Sequence, residues 1–154
     1  MSLKYQNILI AVDGSKEAEW AFKKGIAIAK RNDATLSLIH VIDTRSFAAI
    51  ESYDRTVGER AIKYAEELLD EYKADAAEAG LTKVKTYVEY GSPKVIIPRE
   101  ATKNVKADLI ICGATGLNAV ERFLIGSVSE HITRAAHCDV LVVRTEELEE
   151  ELLS

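Results

Sequence analysis

Short apolar runs alternate with amphipathic, helix-forming segments along almost the whole of this 154-residue chain. The first run, NILIAV at residues 7–12, is apolar throughout and is closed by Asp13-Gly14-Ser15, a pattern typical of a strand buried on both faces and followed by a turn. Comparable runs predict four more strands, at residues 36–42, 84–90, 109–112 and 140–143. This alternation restricts the chain to a layered α/β fold.

Helical segments separate the predicted strands. Residues 56–79 predict the second helix and residues 127–136 the fourth, and the apolar spacing of the second puts Tyr64 on its inner side. Crossovers of this length usually join parallel neighbours. We therefore predict a single doubly wound α/β domain over residues 1–145, with one five-stranded parallel sheet and helices on both faces.

The net charge of −5 comes entirely from the C-terminal end. Residues 1–145 carry 20 basic and 20 acidic side chains, and residues 146–154 add five glutamates, which predicts an acidic tail after the domain. Proteins that bind nucleic acid usually present clustered basic residues, because phosphate neutralisation supplies much of their affinity. The balanced body of this chain argues against nucleic acid as a partner.

Two further features bear on where the protein works. No apolar run approaches the roughly eighteen residues of a membrane helix, and the first residues lack the apolar core of a signal peptide. Cys112 and Cys138 fit a reducing compartment, and their positions at opposite ends of neighbouring strands exclude a disulfide between them. We therefore expect a cytoplasmic protein with no membrane partner.

Two polar segments follow predicted strands at the edge where open α/β sheets bind ligands. Asp13-Gly14-Ser15 follows the first strand, and Gly113-Ala114-Thr115-Gly116 follows the fourth and continues to Gly126-Ser127. Glycine permits positive φ and close approach at Gly113 and Gly116, and the helix beginning at Ser127 offers unpaired amides to an anion. The pattern predicts a phosphate cradle built from main-chain amides.

The same residues also have structural explanations. Residues 127–130 fit a capping box, in which Ser127 and Glu130 bond each other's main-chain amides, and Asp13 before a glycine fits a turn. Neither G-x-x-x-x-G-K-[ST] nor G-x-G-x-x-G occurs in the sequence, and no histidine pair has metal-ligand spacing. His40 is assigned to packing or to the surface. No catalytic residue is predicted, and Asp13 is the one candidate base should the protein be a hydrolase.

The stretch from Gly113 to Arg144 resembles the signature region of nucleotide-binding universal stress proteins, whose pattern is G-x2-G-x9-G-[ST]. The matching positions are Gly113, Gly116, Gly126 and Ser127, and the likeness extends to IAVDGS at 10–15, LIHV at 38–41 and GSP at 91–93. The resemblance implies a Rossmann-like fold of the adenine nucleotide alpha hydrolase type, with strand order 3-2-1-4-5 and its switch point between the first and fourth strands.

The resemblance also implies a site for ATP, ADP or AMP, with a divalent cation such as Mg²⁺ or Mn²⁺. In that site Asp13 contacts the nucleoside and the main chain at Val41 meets adenine. The remaining implied positions surround ribose and phosphates, namely Ala11, Gly113, Thr115, Gly116, Gly126, Ser127 and Val128. Relatives often have Arg or His at position 115 and some have Pro at position 11. Thr115 leaves main-chain phosphate contacts possible, and we do not expect Ala11 to abolish binding.

The apolar strand Val140-Leu141-Val142-Val143 predicts a partner, because an exposed apolar edge is usually paired or covered. Pairing with a second copy would give the homodimer that the resemblance also implies, and the alternative is cover by the acidic tail. We predict an ATP-binding stress-response or signalling module whose nucleotide occupancy biases conformation or partner choice, with little or no hydrolysis. Two alternatives stay open: a slow adenine-nucleotide hydrolase or transferase, and a dimeric interaction module that binds no nucleotide and uses the loop at residues 43–55.

Overall fold

The computed structural model describes residues 3–44, 55–114 and 126–144, and within these ranges the chain forms one sheet and its covering helices. The strands are β1 (Asn7–Ala11), β2 (Thr35–Ile42), β3 (Val84–Tyr90), β4 (Leu109–Gly113) and β5 (Asp139–Val143). The helices are α1 (Lys16–Asn32), α2 (Arg55–Glu78), α3 (Pro93–Glu100), which continues into a π-helical turn (Ala101–Val105), and α4 (Ser127–Ala135). The acidic tail at 146–154 and most of the loop at 43–55 lie outside the described residues.

The strands form one parallel sheet in the order β3-β2-β1-β4-β5, which confirms the predicted fold and strand order. The central strand, β1, has 5 residues and its neighbour β2 has 8. Ala11, the last residue of β1, pairs with Ile39, and β2 continues beyond this pair to Ile42. The carboxyl edge of the sheet therefore has a notch at the end of β1.

Helices cover both faces of the sheet, as predicted. Because side chains alternate along a strand, Ile8 and Ile10 of β1 face the helices α1 and α2, and Leu9 faces α3 and α4. The first core also contains Phe22, Leu36, Leu38, Leu69, Tyr72 and Ile111, and the second contains Ile39, Ile96, Ile97, Ile110 and Ile132. Each fully buried aliphatic side chain contributes roughly 1.5–3 kcal/mol relative to an exposed one.

Helix α1 is fixed closely against the sheet at its start and in its middle. The Ser15 hydroxyl is the N-cap and accepts the Ala18 N–H at 3.1 Å. Gly25 faces β1 so closely that a Cβ there would lie 2.1 Å from Cδ1 of Ile10. This close approach holds the beginning of α1 beside the end of β1, where the functional residues are predicted.

One prediction about α2 is wrong, since Tyr64 is not on its inner side. The Tyr64 side chain is 52% exposed, and the buried residues of the helix include Ala65, Leu69, Tyr72 and Ala76. Tyrosine combines an apolar ring with a polar hydroxyl, so a helix edge at the rim of the core satisfies both parts of the side chain. Apolar spacing alone does not distinguish this rim from the core.

The two cysteines are free thiols, as predicted. Burial raises the pKa of the Cys112 thiol, and a hydrogen bond with Ser129 partly offsets this effect. Burial, followed by the charge of Asp139, raises the pKa of Cys138. Among the described helices, none combines the length and the apolar character required to cross a membrane.

Candidate functional site

The topological switch point of the sheet lies between β1 and β4. These strands pair in parallel from Ile8 with Leu109 to Ile10 with Ile111. The helices that follow them, α1 and α4, pack on opposite faces of the sheet, so the chain leaves the two strand ends in opposite directions. In open α/β sheets this arrangement leaves room for a ligand outside the carboxyl ends of the strands.

The turn after β1 is held by the side chain of Asp13. Its Oδ1 accepts the Ser15 N–H at 2.9 Å, and Gly14 between them has a φ of 84°. This confirms that Asp13 forms the turn. A carboxylate has two oxygens with about four acceptor positions, so the bond to Ser15 leaves Asp13 able to accept from a ligand hydroxyl as well.

Gly113 is the last residue of β4, and close packing explains why this position has no side chain. Gly113 does not use the positive φ that glycine permits, because among the described glycines only Gly14, Gly80 and Gly91 have one. A Cβ on Gly113 would lie 2.7 Å from Cβ and 2.9 Å from the main-chain carbon of Glu17, in the first turn of α1. Glycine is required here because β4 ends directly against α1, which brings the ends of β1 and β4 together.

Two hydrogen bonds fasten the first turn of α4 to the end of β4. The Gly126 N–H donates to the Ala114 carbonyl at 2.7 Å, and the Ser129 hydroxyl donates to the Gly113 carbonyl. Ser129 is only 4% exposed, so the second bond is shielded from water. The two ends of segment 115–125 are thereby joined, and α4 begins next to the switch point.

Ser127 is the first residue of α4 and not its N-cap. The N-cap is Gly126, in an extended conformation with φ −62° and ψ 157°, and the Glu130 carboxylate bonds Arg134. The predicted capping box is therefore wrong, because the helix begins one residue earlier than such a box at Ser127 requires. At a helix start the first amides have no partner within the helix, which applies here to Ser127 and Val128.

The predicted site residues that the structure describes all lie at the carboxyl edge of the sheet. They are Ala11, Asp13, Val41, Gly113, Gly126, Ser127 and Val128. Thr115 and Gly116 lie outside the described residues. The Gly126 N–H is already bonded to Ala114, so Ser127 and Val128 are the better donors for a ligand, and both residues are exposed.

Two polar residues at this edge were not predicted as part of the site. His40 of β2 lies with Nδ1 2.8 Å from the Val12 carbonyl, and because a carbonyl only accepts, Nδ1 carries the proton. The Tyr64 ring meets the His40 ring edge-on, with centroids 6.0 Å apart. The second residue is Ser129, whose hydroxyl donates to the Gly113 carbonyl. Only the strand register and the helix start reveal these contacts, although His40 stands in the LIHV string that the family resemblance includes.

The electrostatics near Asp13 show that its charge reaches the core side of α2. Burial, followed by the negative charge of Asp13, raises the pKa of Tyr72 to about 12. Within residues 3–44, 55–114 and 126–144, no group of three His, Cys, Asp or Glu side chains could hold a metal ion.

Comparison with known proteins gives consistent matches over nearly the whole chain. The model of the universal stress protein family matches residues 4–144. A universal stress protein relative from Staphylococcus haemolyticus is 56% identical over 149 residues, which cover 97% of this chain and 90% of the relative. The structure of universal stress protein UspA from Lactobacillus plantarum is 30% identical with a TM-score of 0.82, covering 93% of this chain and 100% of that one. A universal stress protein crystallised in complex with cAMP is 26% identical with a TM-score of 0.70, covering 93% and 99%.

Proposed function

Because the chain belongs to the universal stress protein family, we propose that it binds an adenine nucleotide, ATP in the first instance, at the switch point between β1 and β4. The observation that carries the proposal is the fastening of α4 to β4 through Gly126 and Ser129. It sets the positive end of a helix beside the turn that carries Asp13, and helix N-termini attract phosphate. The cAMP complex of a protein with the same fold supports an adenine nucleotide as the ligand class.

The phosphates would be held by main-chain amides at the start of α4. Ser127 and Val128 supply N–H groups that have no partner within the helix, and the Ser127 hydroxyl adds a further donor. Gly126 contributes its conformation and not its amide, which is bonded to Ala114. In this proposal Thr115 and Gly116 complete the phosphate contacts from the segment that joins β4 to α4.

The nucleoside would lie in the notch at the end of β1. Asp13 accepts a ribose hydroxyl with the capacity that its bond to Ser15 leaves free. Val41, the next-to-last residue of β2, offers its main chain to the base. Ala11, at the end of β1, forms the floor of the nucleoside site. The cradle thus relies on peptide groups, with one carboxylate for the sugar.

A divalent cation, Mg²⁺ or Mn²⁺, would accompany a triphosphate at this site. When bound, it would neutralise part of the phosphate charge, a role that a phosphate-loop lysine has in other nucleotide sites and for which this sequence has no such string. We propose a binding and signalling role in the cytoplasm in which nucleotide occupancy, and not turnover, is the output.

The edge strand β5 supports the proposal that the protein signals as a homodimer. The Ala114 N–H bonds the Val143 carbonyl, so alternate residues of β5 face β4, and the main-chain groups of Val140 and Val142 point to the open edge. In our proposal the same strand of a second copy pairs with this edge, which would satisfy these groups in a two-fold interface.

A proline at position 127 tests the phosphate contact directly. Proline is favoured at the first position of a helix, and the extended Gly126, with ψ 157°, has the conformation that a residue before proline prefers. Ser127→Pro therefore removes one amide donor and the hydroxyl while retaining the helix. Ser127→Ala is the matched control, because it removes only the hydroxyl.

Calorimetric titration with ATP and Mg²⁺ would separate the two variants. Loss of a hydrogen bond to a charged group costs about 1.5–3 kcal/mol, so we expect Ser127→Pro to weaken binding roughly 10- to 150-fold relative to Ser127→Ala, with equal thermal stability. Parallel titrations with ADP and AMP would identify the preferred ligand, and phosphate release would measure any turnover. A wild-type protein that binds no adenine nucleotide, or equal affinities in the two variants, would refute the proposed site.

A further inference from the structure

The main-chain groups of β2 alternate between its two neighbours. The Thr35 N–H and the Ile39 carbonyl bond residues on the β1 side, and the Leu36 N–H and the Ile42 carbonyl bond residues on the β3 side. Odd-numbered residues of β2 therefore face β1. By this alternation, the N–H and carbonyl of Val41 face the β1 side of the strand, at a level where β1 has already ended.

The ladder between β1 and β2 stops one rung before Val41. Its last rung joins the Val12 N–H to the Ile39 carbonyl at 2.9 Å. The next rung of a parallel ladder would join the Val41 N–H to the Val12 carbonyl, and it is not among the bonds of the described residues. Instead, the Val12 carbonyl accepts from Nδ1 of His40 at 2.8 Å.

From this arrangement, and resting on the adenine-nucleotide site proposed above, we infer that His40 is a positioning residue for base recognition. A carbonyl can accept two hydrogen bonds, so the bond from the His40 ring acts by direction: it holds the Val12 carbonyl toward the ring and away from the Val41 N–H, and so keeps the main-chain edge of Val41 open to adenine. The same bond anchors the peptide that precedes Asp13. One side chain thereby sets the position of both proposed nucleoside contacts.

The open edge of Val41 has the polarity that adenine requires. A strand residue presents one donor and one acceptor side by side, and adenine presents the N1 acceptor beside the N6 amino donor. Hypoxanthine presents a donor at N1 and an acceptor at O6, the reverse pattern. The site should therefore prefer ATP to inosine triphosphate, and this preference should depend on His40.

The His40 ring is held from its outer side by Tyr64. The two rings meet edge-on with centroids 6.0 Å apart, and the Tyr64 hydroxyl lies 2.7 Å from where a Cβ on Gly14 would be. Glycine at this position leaves room for the Tyr64 hydroxyl. Tyr64 therefore braces the ring from α2, which accounts for its place at the helix edge and not in the core.

Three variants test the inference. In His40→Asn the side-chain amide places an N–H at nearly the same distance from the main chain as Nδ1 of histidine. In His40→Gln the amide N–H lies one bond further out, at the distance of Nε2. His40→Leu removes the donor. In the protein without ligand, we expect slow amide exchange at Val41, measured by NMR, to appear in His40→Leu as its N–H pairs with Val12, with a rise in protection of about tenfold or more over wild type and His40→Asn.

In the nucleotide titrations, we expect His40→Leu and His40→Gln to bind ATP about five- to tenfold more weakly, the size of one net hydrogen bond, and to lose the preference for ATP over inosine triphosphate. His40→Asn should retain both properties. Equal weakening for the two nucleotides, or unchanged Val41 exchange in His40→Leu, would overturn the inference. If wild type binds neither nucleotide, the proposed function fails, and the exchange measurement still decides whether His40 holds the ladder open.

Discussion

Replacement of Gly113 by alanine tests whether the contact between β4 and α1 sets the geometry of the site. The added methyl would lie 2.7 Å from Cβ and 2.9 Å from the main-chain carbon of Glu17, whereas carbon atoms normally approach to about 3.5–4.0 Å. The closer contact sets the displacement, so strand and helix must separate by roughly 0.8–1.3 Å. Overpacking of this kind costs about 1–3 kcal/mol, and the lower entropy of the unfolded alanine chain offsets about 0.4–1 kcal/mol of it.

We expect Gly113→Ala to lose up to about 2.6 kcal/mol of unfolding free energy, with a fall in Tm of up to roughly 5–10 °C. Because Ser15 caps α1 and its amide bonds Asp13, a displaced helix also moves Asp13 away from the start of α4. ATP affinity should therefore fall at least about tenfold. Urea unfolding and calorimetric titration would measure the two effects.

Gly80→Ala is the matched control for Gly113→Ala. Gly80 has a φ of 99° with no atom within 4 Å of an added Cβ, so alanine there costs about 1–2 kcal/mol through backbone conformation alone. This variant should lose stability and keep wild-type affinity. The reasoning is refuted if Gly113→Ala is as stable and binds as tightly as wild type, or if Gly80→Ala loses affinity to the same extent.

Three further outcomes follow from the described contacts. Burial raises the pKa of the Tyr72 phenol to about 12, so folding favours its neutral form. The contribution of Tyr72 to the unfolding free energy should therefore be constant below pH 10 and fall by roughly 2 kcal/mol as the pH rises from 10 to 12. Urea titrations should show this additional slope in wild type and not in Tyr72→Phe. Cys138 is half-buried and should react with a thiol reagent before the buried Cys112. Both should react only slowly at pH 7, because burial raises the pKa of each thiol. In guanidinium, both thiols should react at once. Val142→Pro removes an N–H of β5 that points away from β4, so the fold should persist while sedimentation shows monomers in place of a dimer. Leu141→Pro should also destabilise the fold, because the Leu141 N–H faces β4. A wild-type monomer would contradict the dimer.

Much of the fold was predictable because buried parallel strands have a strong sequence signal. The run at 7–12 is apolar on both faces, and the observed β1 differs from it by one residue. The predicted β3 at 84–90 matches the observed bounds. The order of the strands came from the family resemblance, since apolar patterns locate strands and do not specify their neighbours.

The details of the site were less predictable because they depend on contacts between distant parts of the chain. The sequence pattern assigned Gly113 to a phosphate cradle, but its neighbour in space is Glu17, in a helix that follows a different strand. The helix start at Ser127 was predicted correctly, but the N-cap is Gly126, whose amide bonds Ala114 across an intervening segment, so the capping box at Ser127 does not form. His40 was assigned to packing, because its bond to Val12 appears only once the register of β1 and β2 is known.

The shortness of β1 also affects how the protein tolerates mutation. Peptide groups border the gap beyond its last residue, and most amino-acid exchanges leave a peptide group in place. Homologous chains can therefore diverge widely in composition while presenting an unchanged surface to a small molecule. Sensitive positions should be those that set the path of the backbone, such as Gly14, Gly113 and Ser129, so a scan limited to the proposed ligand contacts would miss residues on which the proposed site depends.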